Sequence, residues 1–502
     1  MASPSRSSTL FLLSFDERGW MALALLAMLA LRLGALWLVP AELFVDEAQY
    51  WVWSRELAAG YYSKPPLLAW IIRGGTAVCG AETEFCIRVA MPVLHTLAAL
   101  AVYLVGKQLF DRRTGAWAAV VYATVPGVTA SSFVLTTDVP LMLFWALSLW
   151  AWLRLERQPS PIWAVALGLC LGAGLMSKYA MLYFALCAAG YLLAIRKAPD
   201  RPRWPHLALA AAVALLVFSP NIWWNFENGF VTARHTGGNI NWQDLSFEFG
   251  SLAVFFISQF AVFGPILFAA YLIGAGNLVM RPGKRARLFL LWFSLPVVLL
   301  LCGQALLSRA YANWAAVAYV GGALLVTELL LNRWPRIWRD ASLGLHVFLA
   351  VAFSAVILLI DRGAITVPNA LNPLIRLEGP RDAAAMVVEA LDRSQYAALL
   401  SDGRWVSAEM LYYLRDRPEL QLTWRPDEVP RDHFELTRPY QDHPVEPVLL
   451  VTNAARPGAI TEHFETVEPL GGGAVGQTGT QQVWLFRLSG FQIGVGQELR
   501  KE

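Results

Sequence analysis

Two adjacent carboxylates, Asp46 and Glu47, follow the first long apolar run of the chain. Carboxylates are costly to place near hydrocarbon, so such a pair is expected to have a chemical task or a cationic partner there. A solvated loop explains the same spacing equally well. The residue types therefore indicate a candidate site, and both interpretations stay open from spacing alone.

Three further charges stand almost alone in apolar sequence. Lys64 lies in the segment Tyr-Tyr-Ser-Lys-Pro-Pro, where the prolines restrict the backbone and could hold the ammonium in place. Lys178 separates two apolar stretches, and Asp138 follows two threonines at another junction. A lone lysine in a loop is usually solvated, but these sparse charges and the Asp46 pair together predict one polar face.

Two later loops are rich in hydrogen-bond donors and aromatic rings. Their residue types suit a sugar or a phosphate, and they lack the spacing of metal ligands. The first loop and its approach contribute Asn221, Trp223, Trp224, Asn225, Arg234, His235, Asn239 and Asn241, and the turn at 308–314 contributes Arg309 and Asn313.

The composition shows which elements must position these groups. Hydrophobic residues make up 57% of the 502 residues, and only 15% are charged, against about 25% in an ordinary soluble domain. The hydrophobic residues are concentrated in runs of spanning or near-spanning length, which predict a polytopic α-helical membrane protein with about eleven transmembrane helices. The runs lie at 20–39, 85–106, 114–131, 138–153, 161–177, 179–195, 205–222, 250–275, 286–306, 311–331 and 342–361.

Charge in the connecting loops predicts the orientation. Cytoplasmic loops are enriched in Lys and Arg, and every second loop of this chain is basic. The pattern predicts a cytoplasmic N-terminus, and it places the loop at 40–84 on the external side with Asp138, Lys178 and the polar loops. The formal net charge of +3 gives no reason to expect nucleic-acid binding.

Hydropathy falls after residue 361, and short segments then alternate in type. Helices are predicted at 380–392 and 404–415, and strands at 396–400, 447–452 and 482–488. The chain therefore divides into a transmembrane catalytic domain, 1–361, and a small soluble α/β domain, 362–502. After eleven spans the second domain lies on the external side.

Aromatic residues and cysteines in the 40–84 loop carry weaker predictions. Trp51, Trp53 and Trp70 suit the headgroup level of a membrane. Cys79 and Cys86 share this external segment and could form a disulfide, although small core residues are the preferred interpretation for the five cysteines.

The loop sequence DEAQYWVWSRELAAGYYSKPPLLAW resembles the first external loop of the GT-C glycosyltransferases, in the protein O-mannosyltransferase-like branch. That branch covers family 39 and the transferases that modify lipid A and lipopolysaccharide core. Further similar segments are TTDVPLMLFWALSLWAW, SKYAMLYF, SPNIWWNFENGFV and YANWAAVAY. The resemblance implies a GT-C fold that transfers a sugar, with inversion, from a polyprenyl-phosphate donor to a lipid A, lipopolysaccharide-core or other cell-envelope acceptor.

The resemblance also implies roles for individual residues. Asp46 and Glu47 are the expected catalytic residues, with Asp46 as the catalytic carboxylate and Glu47 beside it. The donor phosphate is expected at Lys64, Lys178 and Arg234. The expected substrate-binding residues are Tyr50, Tyr62, Asp138, His235, Arg309 and Asn313. Ser63 stands where the aminoarabinose transferases carry Glu, so aminoarabinose specificity is not carried over.

The chemistry follows from the charge that moves. Cleaving the bond between the anomeric carbon and the phosphate leaves an extra negative charge on the lipid phosphate, which the three cations would stabilise. Asp46 would accept the proton of the acceptor hydroxyl as general base. In the alternative mechanism, Asp46 and Asp138 together hold a divalent metal ion. The residue spacing does not decide between a general base and a metal site.

Two other functions fit parts of the same pattern. A protein O-mannosyltransferase would differ in its acceptor. A transporter or flippase of a lipid-linked sugar would also need a polar site among helices, but the inverted repeats that favour it are not evident in the sequence. The expected setting is a bacterial inner membrane, with a lipid-linked donor, a lipid or glycolipid acceptor and membrane lipids as partners.

Overall fold

The computed structural model describes residues 16–199, 201–240, 247–281, 283–476 and 478–492, without the side chains of 239, 240 and 371. The predicted polar residue Asn241 and the side chain of Asn239 lie outside this description. The described residues up to 361 form helices joined by breaks, and the described part from 380 onward combines helices with one sheet.

The first part is built from apolar helices joined by short breaks. Each of the eleven predicted stretches is helical, because long apolar runs can satisfy their backbone groups internally. The α-helices are Glu17–Leu38, Val45–Arg55, Leu67–Cys79, Glu84–Arg88, Ala90–Leu109, Arg112–Thr124, Pro126–Ser131, Asp138–Arg157, Pro161–Ser177, Tyr183–Ala194, Trp204–Glu227, Val231–Ile240, Phe249–Val262, Pro265–Met280, Arg285–Trp292, Leu295–Leu307, Ala318–Asn332 and Arg336–Asp361.

Not all of these helices have the length of a membrane span. By length and composition, six in the described chain could cross a membrane, or seven if one bent pair counts as a single span. They are Glu17–Leu38, Glu84–Leu109, Asp138–Arg157, Trp204–Glu227, Arg285–Leu307 and Arg336–Asp361. Four shorter apolar helices accompany them. The protein is thus a multi-pass membrane protein.

The single helix predicted at 250–275 is wrong. The chain bends by 113° between Phe249–Val262 and Pro265–Met280. Gly264 adopts a φ of +95°, and a side chain there would collide with His346. Pro265 then begins the second helix, a position at which proline costs no hydrogen bond.

The second part contains a five-stranded mixed sheet. Its strands are β1 (Ala398–Ser401), β2 (Leu420–Thr423), β3 (Val448–Thr452), β4 (Phe464–Val475) and β5 (Gln481–Phe491), in the order β2-β1-β3-β5-β4. β1 is parallel to β2 and β3, and β5 is antiparallel to β3 and β4. The helices Pro380–Arg393 and Gly403–Tyr413 pack on one face, and His433–Thr437 and Gly458–Thr461 complete this part.

The two parts meet through the 40–84 loop. Trp51 and Trp53 are buried in one cluster with Tyr412 and Phe434 of the second part. The prediction that these tryptophans anchor the loop in the membrane is therefore wrong, whereas Trp70 is exposed. Leu43 donates its N–H to the Tyr413 hydroxyl at 2.7 Å. These contacts seat the Gly403–Tyr413 helix on the Val45–Arg55 helix.

Cys79 and Cys86 form a disulfide with a Cα–Cα distance of 5.8 Å. The preferred interpretation of both as small core residues is wrong, because the turn between Leu67–Cys79 and Glu84–Arg88 brings the two side chains together. Cys170, Cys187 and Cys302 are free.

Candidate active site

Glu47 is held inside the protein by Arg88. Its side chain is 1% exposed and that of Arg88 is 2% exposed. Arg88 Nε donates to Glu47 Oε1 at 2.8 Å, and Nη2 donates to Oε2 at 2.7 Å. The carboxylate also accepts the N–H of Phe44 at 3.0 Å and that of Leu135 at 2.8 Å. Both oxygens are thus engaged, and Glu47 joins three segments of the chain.

Asp46 has a different environment one residue away. Its side chain is 42% exposed, and Oδ1 accepts a hydrogen bond from Arg404 Nη1 at 2.7 Å. Arg404 lies in the first turn of Gly403–Tyr413 and also donates to Gln49 Oε1 at 3.2 Å. The sequence interpretation missed Arg404, because no local pattern links this residue of the second part to the first external loop.

Asp138 collects two predicted residues from distant helix junctions. Lys178 Nζ donates to Asp138 Oδ1 and Asn313 Nδ2 donates to Oδ2, both at 2.8 Å. Asp138 begins a helix, where the helix dipole favours a carboxylate. Lys178 has an extended backbone between Pro161–Ser177 and the turn that follows. The structure therefore brings together Asp138, Lys178 and Asn313.

Of the three predicted phosphate-binding cations, Lys64 is the one whose side chain has no hydrogen bond or ion pair among the described residues. A turn closed by the Tyr61 N–H on the Lys64 carbonyl at 3.1 Å holds its backbone. Burial and then the charge of Lys178 lower the pKa of Lys64, and the charges of Asp138 and Asp46 act against this shift. Both carboxylates thus favour the protonated form of Lys64.

Of the predicted substrate-binding residues, Tyr50 is buried, and Tyr62 and His235 are partly exposed. Burial, followed by the charge of Asp46, raises the pKa of the buried Tyr50. The Tyr62 hydroxyl donates to the Pro430 carbonyl at 3.0 Å, and its ring centroid lies 5.5 Å from that of His235. Burial and the charge of Lys64 lower the pKa of His235. Tyr50 and His235 thus share charged neighbours with Lys64.

The predicted cations Arg234 and Arg309 make no described contact with Asp46 or Asp138. Arg234 is exposed and donates to the Gly229 carbonyl of its own loop. The Arg309 guanidinium lies 5.8 Å from the ring centroid of Tyr311. No described contact joins Arg309 to Asp138, although Arg309 precedes Asn313 in the same turn.

A metal site built on Asp46 and Asp138 has no third protein ligand in the part of the chain that the structure describes. No group of three or more His, Cys, Asp or Glu side chains there could hold a metal ion. Asp46 is paired with Arg404 and Asp138 with Lys178. These carboxylates fit ion pairs, and no reaction step through a metal is derived from them.

The arrangement can bind an anionic group and move a proton. Lys64 has no partner among the described residues, Lys178 is held by Asp138, and the half-exposed carboxylate of Asp46 is accessible to a hydroxyl. A cation facing a developing negative charge is the main requirement for cleaving a sugar–phosphate bond.

Comparisons with known proteins agree with this chemistry. The Dolichyl-phosphate-mannose-protein mannosyltransferase family matches residues 63–224. Lipid A galacturonosyltransferase RgtD of Rhizobium johnstonii is 35% identical over 434 residues, which are 86% of this chain and 89% of that protein. Lipopolysaccharide core galacturonosyltransferase RgtB of the same organism is 30% identical over 225 residues, 43% of this chain and 44% of that protein.

A solved structure shows the same fold. ArnT from Cupriavidus metallidurans, bound to undecaprenyl phosphate, superposes with a TM-score of 0.66 at 17% identity, over 94% of this chain and 98% of that chain. Together with the extended similarity to RgtD, this places the chain in the GT-C superfamily of membrane glycosyltransferases, in the family that includes lipid A galacturonosyltransferase RgtD.

Proposed function

We propose that the protein transfers a galacturonosyl residue from a polyprenyl-phosphate donor to lipid A or lipopolysaccharide core. The similarity to RgtD over most of both chains supports the sugar and the acceptor class, and the fold shared with ArnT bound to undecaprenyl phosphate supports the carrier. The observation that carries the proposal is the set of cations at these loops: Lys64, half-buried and without an ion pair among the described residues, and Lys178, held by Asp138 at 2.8 Å.

The proposed membrane arrangement has about eleven crossing helices, a cytoplasmic N-terminus and residues 362–502 as a periplasmic domain in a bacterial inner membrane. The alternation of basic loops supports the orientation. Arg404 contacts Asp46 of the 40–84 loop, Lys178 contacts Asp138, and the hydrogen bond from Leu135 to Glu47 joins that loop to the segment before Asp138. One cluster drawn from these segments is consistent with their lying on the same side of the membrane.

In the proposed mechanism the donor phosphate binds Lys64. Lys178, whose ammonium is held by Asp138, also contacts the phosphate. The acceptor hydroxyl attacks the anomeric carbon from the face opposite the phosphate. A carbon–oxygen bond to the acceptor forms while the bond from the anomeric carbon to the phosphate oxygen breaks, so the configuration inverts. The hydroxyl proton passes to Asp46, and the lipid phosphate leaves with an added negative charge that the two lysines stabilise.

The remaining predicted residues take supporting roles in this proposal. Glu47 is a positioning residue, because Arg88 and two backbone N–H groups occupy its carboxylate. Tyr50, Tyr62 and His235 line the sugar side. Arg234 and Arg309 lie at the edge, where a charged acceptor headgroup would approach.

The test is transfer by purified protein in liposomes containing polyprenyl-phosphate galacturonic acid and lipid A, with product detection by mass spectrometry. Asp46→Asn is expected to lose transfer by about 100-fold or more, since general-base catalysis contributes about 10²–10⁴-fold. Asp442→Asn is the matched control, because Asp442 is a half-exposed carboxylate paired with Arg425 away from the site. Its activity should match that of wild type.

Each other outcome of this assay favours a different function. Full transfer by Asp46→Asn would remove Asp46 from the chemistry. Movement of the labelled donor between leaflets without transfer would favour a flippase, and sugar attached to protein in place of lipid A would favour an O-mannosyltransferase-type reaction.

A further inference from the structure

Arg404 has hydrogen-bonding capacity that its protein partners do not use. Only Nη1 donates, to Asp46 and to Gln49. Nε and Nη2 carry no hydrogen bond among the described residues, and the side chain is 41% exposed. A guanidinium presents its N–H groups in a fixed fork that matches a carboxylate.

The unused N–H groups of Arg404 lie next to Asp46. Its positive charge lowers the pKa of both Lys64 and His235, after larger effects of burial. Arg404 Nη1 also lies 2.7 Å from Oδ1 of Asp46, the proposed base, so its unused Nε and Nη2 groups border the place where the sugar would react. Lys178 is already held by Asp138.

A uronosyl donor needs two separate cationic contacts. Its phosphate is attached to the anomeric carbon, and its carboxylate is attached to the carbon on the far side of the ring oxygen. Neutral hexosyl donors lack the second anion, and amino sugars carry a positive charge on a ring substituent instead. A site for the uronosyl class thus requires one cation for the phosphate and another across the sugar ring.

We propose that Arg404 binds the carboxylate of the donor sugar through Nε and Nη2, while Lys64 binds the donor phosphate. Arg404 is then the residue that selects a uronosyl donor over a neutral hexosyl donor and repels a cationic amino sugar. The inference rests on the proposed function for the identity of the donor. Since Nη1 remains on Asp46, the same guanidinium aligns the sugar with the general base.

The test compares polyprenyl-phosphate galacturonic acid with polyprenyl-phosphate galactose on the same carrier lipid. Wild type should prefer the uronosyl donor. Arg404→Gln should lower kcat/KM for that donor by about 10–100-fold more than for the galactosyl donor, the range for a lost charge-assisted contact. Arg404→Lys keeps the positive charge but not the forked guanidinium, so its preference for the uronosyl donor should lie between those of wild type and Arg404→Gln.

Arg438→Gln is the matched control. Arg438 also belongs to the second part and also pairs with a carboxylate of the first loop, Glu56, but it does not contact Asp46. Its donor preference should equal that of wild type. Equal losses with both donors in Arg404→Gln would show that Arg404 acts only through Asp46 and would overturn the inference, as would a wild type without donor preference.

Binding separates this inference from the proposed function. Thermal stabilisation of the purified protein by each donor is measured alongside transfer. If neither donor is transferred but the uronosyl donor stabilises wild type and not Arg404→Gln, the proposed reaction is wrong and the carboxylate site stands. If transfer occurs and the stabilisation does not depend on Arg404, the carboxylate site is wrong.

Discussion

Replacing Glu47 by Gln is expected to destabilise the protein without removing a reacting group. The Glu47–Arg88 pair is almost fully buried and has two short charge-assisted hydrogen bonds. Removing one partner of a buried pair leaves the other charge uncompensated and costs about 3–5 kcal/mol. The backbone N–H groups of Phe44 and Leu135 would also lose a charged acceptor.

Replacing Asp46 by Asn should have the opposite profile. The side chains of Asp46 and Arg404 are 42% and 41% exposed, and an exposed pair contributes about 0–1 kcal/mol. The free energy of unfolding should therefore change little, while transfer is lost. The two substitutions lie one residue apart and serve as controls for each other.

The assay measures unfolding and transfer on the same preparations. Thermal unfolding in one detergent gives the stability order, and transfer at a temperature where all variants are folded gives activity per folded molecule. Glu47→Gln should melt well below Asp46→Asn and should retain more activity per folded molecule. Adding Arg88→Met to Glu47→Gln should recover part of the lost stability, because the unpaired buried charge is removed.

One result would refute this reasoning. A Glu47→Gln protein that unfolds like wild type and transfers no sugar would show that the Arg88 pair contributes little to stability. Glu47 would then have to act in the reaction itself.

Two further predictions concern pH. Burial and Lys178 lower the pKa of Lys64 below its usual 10.5, so kcat/KM should fall at a lower alkaline pH than it would with an ordinary lysine. Lys64→Arg should move that fall to higher pH. An unchanged pH profile in this variant would contradict the role of Lys64. Burial raises the pKa of Glu409 from 4.5 to about 8 in the folded protein, so this group stabilises the fold at low pH, and its contribution declines as pH rises from about 4.5 to about 8. Thermal unfolding of Glu409→Gln should lack that decline, and an equal pH dependence in both proteins would contradict the assignment.

The sequence predicted one side of the membrane for Asp138, Lys178 and Asn313, and the structure shows that their side chains also meet. Each residue lies at a junction between apolar runs, and alternating basic loops assign these junctions to one side. The apolar runs themselves predict helices because hydrocarbon tolerates few other backbone structures. The bend at Gly264-Pro265 was missed because composition on both sides of it is uniformly apolar.

The sheet shows a different limit. The three predicted strands, β1, β3 and β5, occupy its centre, where burial on both faces enriches apolar residues. The two missed strands, β2 and β4, are its edges. β4 contains Pro469 and three consecutive glycines and is largely exposed, so its sequence resembles a loop. Edge strands commonly carry such residues.

Arg404 could not be predicted because its contact with Asp46 spans 358 positions. Only the docking of Gly403–Tyr413 on the first external loop brings the two together, and that docking depends on aromatic packing of Trp51 against Tyr412 at 4.9 Å. Neither periodicity nor motif spacing records a contact of this kind.

The different environments of Asp46 and Glu47 follow from helix geometry. Successive residues on a helix point about 100° apart, so one carboxylate of an adjacent pair can enter the core while the other faces an open surface. Glu47 enters the core, where it binds both Arg88 and the N–H of Leu135. Leu135 lies three residues before Asp138, and Asp46 lies one residue before Glu47. A single buried carboxylate therefore fixes the base of the proposed reaction relative to the Asp138–Lys178 pair, which the same proposal places beside the donor phosphate.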